Sequence, residues 1–391
     1  MRYNFDKVID RSGTSAEKVE GLKHIWGRTD LIPLWVADMD FATAPFVTDA
    51  IRKRCENEVL GYTGKPDSYY NAIINWVKQR YDLIVTKEVI NFVPGIVPGI
   101  GMAMNCFTQK GDKVMIQPPV YHPFAWVTTR NERTLVTNPL KWENGMYRMD
   151  LDAFRELIKG CKLFILCNPH NPGGVVWTEA ELRAIADICY DEKVLVFSDE
   201  IHADLTLPPH THRPFATVSE KARMNSVTFM SPSKAFNMPG LSASHALIFN
   251  EDLRKRFRIY MDAGELDMGH VFAFLSVEAA YSHGTEWLDQ CLAYIQGNID
   301  FVDDFLKNHA PKIKAIRPEA SYLVWLDCRE LKLSQKDLNE FFVDKAHLAL
   351  NDGEMFGKEG IGFMRLNVAS PRCIIEKAMK QLADAYQLYI K

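Results

Sequence analysis

Short, continuous apolar runs dominate the middle of the chain, and each stops at a turn signal. Val89–Val93 ends at Pro94-Gly95, Lys113–Gln117 at Pro118-Pro119, and Leu163–Cys167 at Asn168-Pro169. Val194–Phe197 runs into Ser198-Asp199-Glu200, Val227–Met230 into Ser231-Pro232, and a further run covers Ala246–Phe249. Runs of four to eight apolar residues bounded by turns predict buried strands. Amphipathic or small-residue stretches lie between them. Ile96–Phe107 reads as a helix, and Thr178–Asp191 as another, with Leu182, Ile185, Ala186, Ile188 and Cys189 on one side. Thr178 and Glu181 have the spacing of a capping box. Strands without alternation, separated by helices, predict a mostly parallel sheet covered on both faces, an α/β fold.

The flanks read differently. Residues 1 to about 45 have weak periodicity until Leu31–Phe41, which ends in two acids and an Ala-Thr-Ala-Pro turn. Pro45 can open a helix through Val47, Ala50, Ile51 and Arg54, and Tyr69–Tyr81 predicts an amphipathic helix after the turn-rich Gly61–Pro66. Beyond residue 285 a long helix, Trp287–Asn308, precedes strands at Lys312–Ile316 and Tyr322–Leu326 and a last helix, Cys373–Leu388. The expected division is an N-terminal segment, 1–45, packing with a small α+β domain, 286–391, beside a large domain, 46–285. Internal repeats and low-complexity tracts are absent.

Composition changes this picture little. The 391 residues are 25% charged with a net charge of -4, so neither nucleic acid nor a membrane surface is an expected partner. No apolar run is long enough to span a bilayer. Met1–Lys7 lacks the apolar core of a signal peptide, and eight cysteines without a Cys-x-x-Cys pair read as free, mostly buried thiols. A cytoplasmic protein is expected. His210 and His212 share a Pro/His/Thr loop without an evident third ligand, which reads as a solvated loop and not a metal site.

The candidate chemistry falls at strand ends, where open α/β sheets bind ligands. Lys234, in Ser231-Pro232-Ser233-Lys234, follows a strand directly. A lysine withdrawn from water there has a lowered pKa and can form a Schiff base with an aldehyde. A lone Ser-x-Lys is more often a surface lysine, but this one has company. Asn168-Pro169-His170-Asn171-Pro172-Gly173-Gly174 forces a loop that presents amides. Ser198-Asp199-Glu200-Ile201-His202 puts two acids and an imidazole at a strand end, suited to a base, a metal or a cationic ring. Pro94-Gly95-Ile96-Val97 precedes a helix whose first N–H groups can cradle phosphate.

Together and in this order, with Arg365 in Met364-Arg365-Leu366-Asn367, these motifs resemble the fold-type I pyridoxal-phosphate enzymes, the aspartate-aminotransferase superfamily. The resemblance covers nearly the whole chain. It narrows through Trp35-Val36-Ala37-Asp38-Met39-Asp40-Phe41, Pro119-Val120-Tyr121, Asn168–Pro172 and Asp199–His202 to the cystathionine β-lyase-like branch of carbon–sulfur lyases typified by MalY and PatB. It implies a large domain with a mostly parallel seven-stranded sheet flanked by helices, plus the smaller α+β domain, and pyridoxal 5'-phosphate as cofactor. Lys234 then holds the cofactor and moves the Cα proton, and Asp199 pairs with the ring nitrogen. Asn171 meets the ring oxygen, Tyr121 stacks on the ring and takes part in catalysis, and His202 contacts the ring oxygen or a neighbour. Ser231, Ser233 and the amides at Gly95, Ile96 and Val97 bind the phosphate. Arg365 clamps the substrate α-carboxylate, with Ala37 and Asn171 beside it, and Tyr62 reaches the phosphate of a neighbouring subunit in a homodimer with shared sites.

Two departures from the wider superfamily stand out. Ser242 occupies the position of a phosphate-binding arginine, and His202 that of a tyrosine. Trp26, Asp38 and Trp325 are expected to be core or turn residues and not catalysts. Nicotinamide binding fails because Gly99-Ile100-Gly101 lacks the third glycine, and a phosphate loop fails because Gly353–Lys358 is one residue short. The implied activity is β-elimination from cystathionine or another cysteine S-conjugate, giving pyruvate, ammonia and a thiol. An aminotransferase uses the same residues, and a pyridoxal-phosphate-binding regulator on an enzyme fold is the reading from another class.

Overall fold

The computed structural model describes residues 2–389. Seven strands form its central sheet. They are β1 (Ile90–Val93), β2 (Lys113–Ile116), β3 (Thr134–Thr137), β4 (Cys161–Cys167), β5 (Leu195–Asp199), β6 (Ser226–Met230) and β7 (Ser244–Leu247). Their order is β1-β7-β6-β5-β4-β2-β3. The stretch from β3 to β6 is parallel, and β7 runs antiparallel to both neighbours. The mostly parallel, seven-stranded α/β sheet expected from the resemblance is therefore present.

Side-chain alternation explains the continuous apolar runs. Phe197, Phe229 and Ala246 point into one core, whereas Val196, Met230 and Leu247 enter the cores on the other face. Both faces are covered, so both sets are apolar. Strand β3 shows no continuous apolar run because, unlike the other edge strand β1, it is not covered on both faces. Its two threonines are exposed, and it lacks the buried run of its neighbours. The helix Ile96–Phe107 lies unusually close to the sheet. A Cβ at Gly99 would sit 2.9 Å from Val93 Cγ2 and 3.1 Å from Phe229 Cε1, so glycine permits the approach that aims the helix start at the strand ends.

A second sheet contains β8 (Lys314–Ile316), β9 (Leu323–Asp327), β10 (Asn351–Asp352) and β11 (Phe363–Asn367), ordered β8-β9-β11-β10 and antiparallel throughout. The helices Thr285–His309 and Arg372–Tyr389 share its core through Ile299, Leu306, Ile375 and Leu382. The N-terminal segment joins this region, because Ile32–Pro33 pairs in parallel with Leu348–Ala349. It also contains a helix, Glu17–Trp26, where the sequence showed only weak periodicity. That helix buries Lys18, Gly21 and Leu22, so it has no apolar stripe to read. The Thr178–Glu181 capping box forms with both reciprocal bonds. All eight cysteines are free and five are buried. Among the described residues, no helix is long and apolar enough to cross a membrane.

Candidate active site

The carboxyl ends of β1, β4, β5 and β6 open onto one cavity of about 200 Å³. Its wall includes Ala37, Gly95, Ile96, Val97, Tyr121, Asn171, Asp199, His202, Ser233 and Lys234. Residues separated by nearly 200 positions thus converge: Gly95, Asp199 and Lys234 end a strand or lie in the turn after one, and Ala37 joins them from the N-terminal segment.

Asp199 is the last residue of β5, opposite Cys167 of β4 and Phe229 of β6. Its Oδ1 accepts the Ile201 N–H at 3.0 Å. Burial pushes the carboxyl up to about 7, against the pull of that hydrogen bond and of Lys234. Lys234 follows β6, and its Nζ donates to the Ala37 carbonyl. Burial brings the amine down to about 8, with Arg365 acting the same way and Asp38 and Asp199 opposing it. An acid and an amine that both titrate near neutrality in one cavity are what proton-transfer chemistry needs.

The helix Ile96–Phe107 begins at the cavity wall. Its N-cap, Gly95, supplies no side-chain cap, and the first turn carries no acid. Its leading N–H groups are therefore available to an anion. Ser233 stands beside them at the wall. Ser231 does not line the cavity. Its Oγ donates to the Ala243 carbonyl at 2.8 Å and lies 2.9 Å from Ser233 Oγ, behind the residue it was expected to join. Ser242 is at the wall in a left-handed conformation, φ 47°.

Arg365 comes from the other sheet. It sits in β11 between Trp325 and Asn351 and donates to Asn171 Oδ1 at 3.0 Å, to the Trp35 carbonyl at 3.1 Å and to Asn351 Oδ1. The guanidinium carbon lies 4.9 Å from the centre of the Phe356 ring. None of these partners is a carboxylate, Nε is buried without a partner, and burial lowers the guanidinium to about 10. A buried cation held only by neutral groups is suited to receive an anionic ligand. Arg365 touches the cavity through Asn171 and is not itself at the wall.

Tyr121 is at the wall with its hydroxyl raised by burial, edge-on to Phe124 at 5.7 Å. His202 is buried with Nδ1 unpartnered, and burial drives its pKa down to about 3, so it is neutral. Tyr62 is 97% exposed on a distant loop and takes no part in the cavity of its own chain. Trp26 packs edge-on to Trp35 at 5.3 Å and Trp325 stacks on Phe363 at 5.2 Å, as core residues do.

One expectation is corrected. The loop with His210 and His212 is not wholly solvated, because His212 is buried with Nε2 2.8 Å from Glu200 Oε2. Glu200 also accepts from Ser198 Oγ and the Phe215 N–H, each at 2.8 Å. The loop folds back over the end of β5 because a buried carboxylate needs those donors. Tyr322 and Asn367 were missed. Tyr322 Oη donates to the Ala37 carbonyl at 3.0 Å, and Asn367 Nδ2 holds the carbonyls of Val36 and Asp38 at 2.7 Å each. The only sequence signal for Asn367 was its position two residues after Arg365, on the same face of a strand.

The cavity thus offers an amine able to condense with an aldehyde, an acid able to pair with a cationic ring nitrogen, an aromatic wall and an anion cradle. The model of the aminotransferase class I and II family matches residues 29–382. The chain is 38% identical over 384 residues to the cystathionine beta-lyase PatB of Bacillus subtilis, spanning 98% of this chain and 99% of that protein. It superposes with TM-score 0.96 and 34% identity on cystalysin from Treponema denticola, a structure containing pyridoxal 5'-phosphate, over 100% of both chains. It matches the pyridoxal-phosphate-bound C–S lyase from Staphylococcus hominis with TM-score 0.91 and 36% identity, over 99% of this chain and 98% of that one.

Proposed function

The chain belongs to the class I and II aminotransferase family, and from that premise we propose that it is a pyridoxal-phosphate-dependent carbon–sulfur β-lyase. The observation that carries the proposal is the meeting of Lys234, Asp199 and an uncapped helix start in one cavity, with Arg365 bound to Asn171 at its edge. The likeness to PatB and to the Staphylococcus hominis C–S lyase supports elimination as the reaction.

Bound there, pyridoxal phosphate supplies an electron sink for the pair left when a Cα–H bond breaks. Lys234 would hold the cofactor covalently and, once displaced by substrate, take the Cα proton. Its depressed proton affinity favours that role near neutral pH. Asp199 would be ionised beside a cationic ring nitrogen, which relieves the cost of its burial. The amides of Gly95, Ile96 and Val97 with Ser233 would bind the phosphate, and Ser231 would support Ser233. Tyr121 would cover one ring face, and Asn171 and the neutral His202 would lie near the ring oxygen. Arg365 would orient the substrate α-carboxylate, with Ala37 and Asn171 beside it. Loss of the thiolate from Cβ would leave aminoacrylate, whose hydrolysis by water would give pyruvate and ammonia.

The second reading is an aminotransferase, favoured by the family as a whole, since all these residues serve its shared steps equally. We further propose a cytoplasmic homodimer whose exposed Tyr62 completes the phosphate site of the partner subunit. The division into 1–45, 46–285 and 286–391 is part of the same reading. The two separate sheets and the pairing of Ile32 with Leu348 support it.

The test uses protein loaded with pyridoxal phosphate and L-cystathionine, without any 2-oxo acid. Pyruvate and free thiol are expected to accumulate together over many turnovers, with Lys234→Ala as the blank. Turnover only when a 2-oxo acid is supplied would assign an aminotransferase instead.

A further inference from the structure

Of Trp35-Val36-Ala37-Asp38-Met39-Asp40-Phe41, only Ala37 has so far been given a part in the chemistry. This strap is stitched to both sides of the site. On one side Lys234 donates to the Ala37 carbonyl. Asn237, three residues on, accepts the Met39 N–H at 3.0 Å and donates to the carbonyls of Met39 and Phe41 at 3.0 and 2.7 Å. On the other side Asn367 and Tyr322 hold the carbonyls of Val36, Ala37 and Asp38.

The carboxylates of the strap face a third group of residues. Asp38 Oδ2 lies 2.6 Å from Arg11 Nη2, and Asp40 Oδ1 lies 3.2 Å from Arg11 Nη1. Lys18, whose side chain is fully buried, sits 2.8 Å from Asp40 Oδ2 and 3.7 Å from Asp38 Oδ1. It also donates to the Asp38 carbonyl at 3.4 Å. Two cations and two anions therefore balance within one cluster. A buried lysine is tolerated only where such partners surround it, so the cluster fixes the strap's backbone.

We propose that Arg11, Lys18, Asp38 and Asp40 are positioning residues for the reaction: by clamping the strap they hold the Ala37 carbonyl against the Lys234 amine and set the rate at which that amine moves the Cα proton. The proposal rests on the reading of Lys234 as the proton carrier. Asp38 is not at the cavity wall, so it acts through Ala37 and through its field. The charged and titratable groups acting on Lys234 are Asp38 from the strap, Asp199 from β5 and Arg365 from β11, with His202 also within its field. Those facing Asp38 are Arg11, Lys18, Asp40, Lys234 and Tyr322. A shift of about an ångström in a positioned group can cost up to about a hundredfold in rate, and a loosened strap should cost less.

The test compares Asp38→Asn with Asp30→Asn in the cofactor-loaded, full-length protein. Asp30 forms a more exposed arginine pair, with Arg28 at 2.7 Å, in the same N-terminal segment but with no hydrogen bond or ion pair to the strap among the described residues. Melting temperature and cofactor content are measured first, then kcat, KM, the isotope effect with α-deuterated L-cystathionine, and the pH at which the bound cofactor's absorption changes. For Asp38→Asn, kcat should fall roughly tenfold with KM within about twofold. The isotope effect should rise, and the absorption change should move to lower pH, because a negative charge acting on Lys234 is gone. Arg11→Gln, on a partly exposed side chain, should lower kcat and raise the isotope effect less. It should move the absorption change to higher pH, because it removes a positive charge beside Asp38, and it remains informative if Asp38→Asn fails to fold. Asp30→Asn should move none of them. An unmoved isotope effect and absorption pH in a folded, loaded Asp38→Asn protein, or equal effects from Asp30→Asn, would overturn this proposal alone. An unaltered protein that neither binds pyridoxal phosphate nor eliminates thiol would overturn the functional reading and this proposal together.

Discussion

The two walls of the cavity are built by different means. The sheet wall, with Lys234, Asp199 and the amides after Gly95, is made of residues that end a strand or lie within four residues of its end, so each is placed locally. The clasp wall reaches the cavity at Ala37 and is backed by the rest of the strap, Asn237, Asn367 and Arg365, through contacts between residues up to 331 positions apart. Their electrostatics differ as well. Asp199 and Lys234 are pushed towards neutrality by burial, to about 7 and about 8. The strap's charges are neutralised by partners. The sheet wall is thus chemically poised and the clasp wall is mechanically fixed, an arrangement that lets one wall change protonation while the other keeps its geometry.

Breaking the sheet wall should have the largest effect. Lys234→Ala removes the group proposed to carry the Cα proton and should lower kcat at least a thousandfold, measured by pyruvate release, with the melting temperature little changed. Breaking the clasp at the substrate end should separate binding from cofactor chemistry. Arg365→Lys loses the fork that makes bidentate contact and should raise KM for L-cystathionine roughly a hundredfold, with the cofactor's absorption unchanged. If Arg365→Lys instead bleaches the cofactor, the two walls are not separable in this way.

The pH dependence sharpens the comparison. In the ligand-free protein the folded chain holds the Asp199 proton up to about pH 7, whereas an unfolded chain releases it near 3.8. The folded state binds the extra proton, so this group makes stability fall as pH rises from about 4 to 7. A cofactor cation that pairs with ionised Asp199 removes that loss. The gain in melting temperature on adding pyridoxal phosphate should therefore grow between pH 5.5 and 7.5, by roughly the amount Asp199→Asn abolishes. A gain independent of pH would remove Asp199 from the pairing role. The smallest effect concerns the aim of the helix. Gly99→Ala would force contact with Val93 and Phe229, costing about 1–3 kcal/mol by overpacking. Thermal melting should show a drop of a few degrees, and the cofactor should bind more weakly.

The same contrast explains what could be read from the chain alone. Six of the seven large-sheet strands are buried on both faces and coincide at least in part with short, mostly apolar runs. The seventh, β3, is half-exposed with threonines at both ends, whereas β1 at the opposite edge is buried throughout and is legible. Lys234, Asp199 and the Gly95 turn were legible because strand-end positions are local. The helix Glu17–Trp26 was not legible, since it buries a lysine where a stripe would be. Ser231 was read as a phosphate ligand because a sequence cannot show that its hydroxyl is spent on Ala243, twelve residues away. His212 looked like a loop residue because its partner Glu200 lies across a fold-back that no periodicity records. Asp38 looked like a turn residue because its two cationic partners, Arg11 and Lys18, lie in other segments of the fold's N-terminal part.

The most direct test of the poised sheet wall is to load the protein with pyridoxal phosphate, reduce it with borohydride and map the modified peptide by mass spectrometry. The account predicts a single phosphopyridoxyl group on Lys234, absent when Asp199→Asn protein is treated at low cofactor concentration. Modification spread over surface lysines, or none in folded protein, would contradict it.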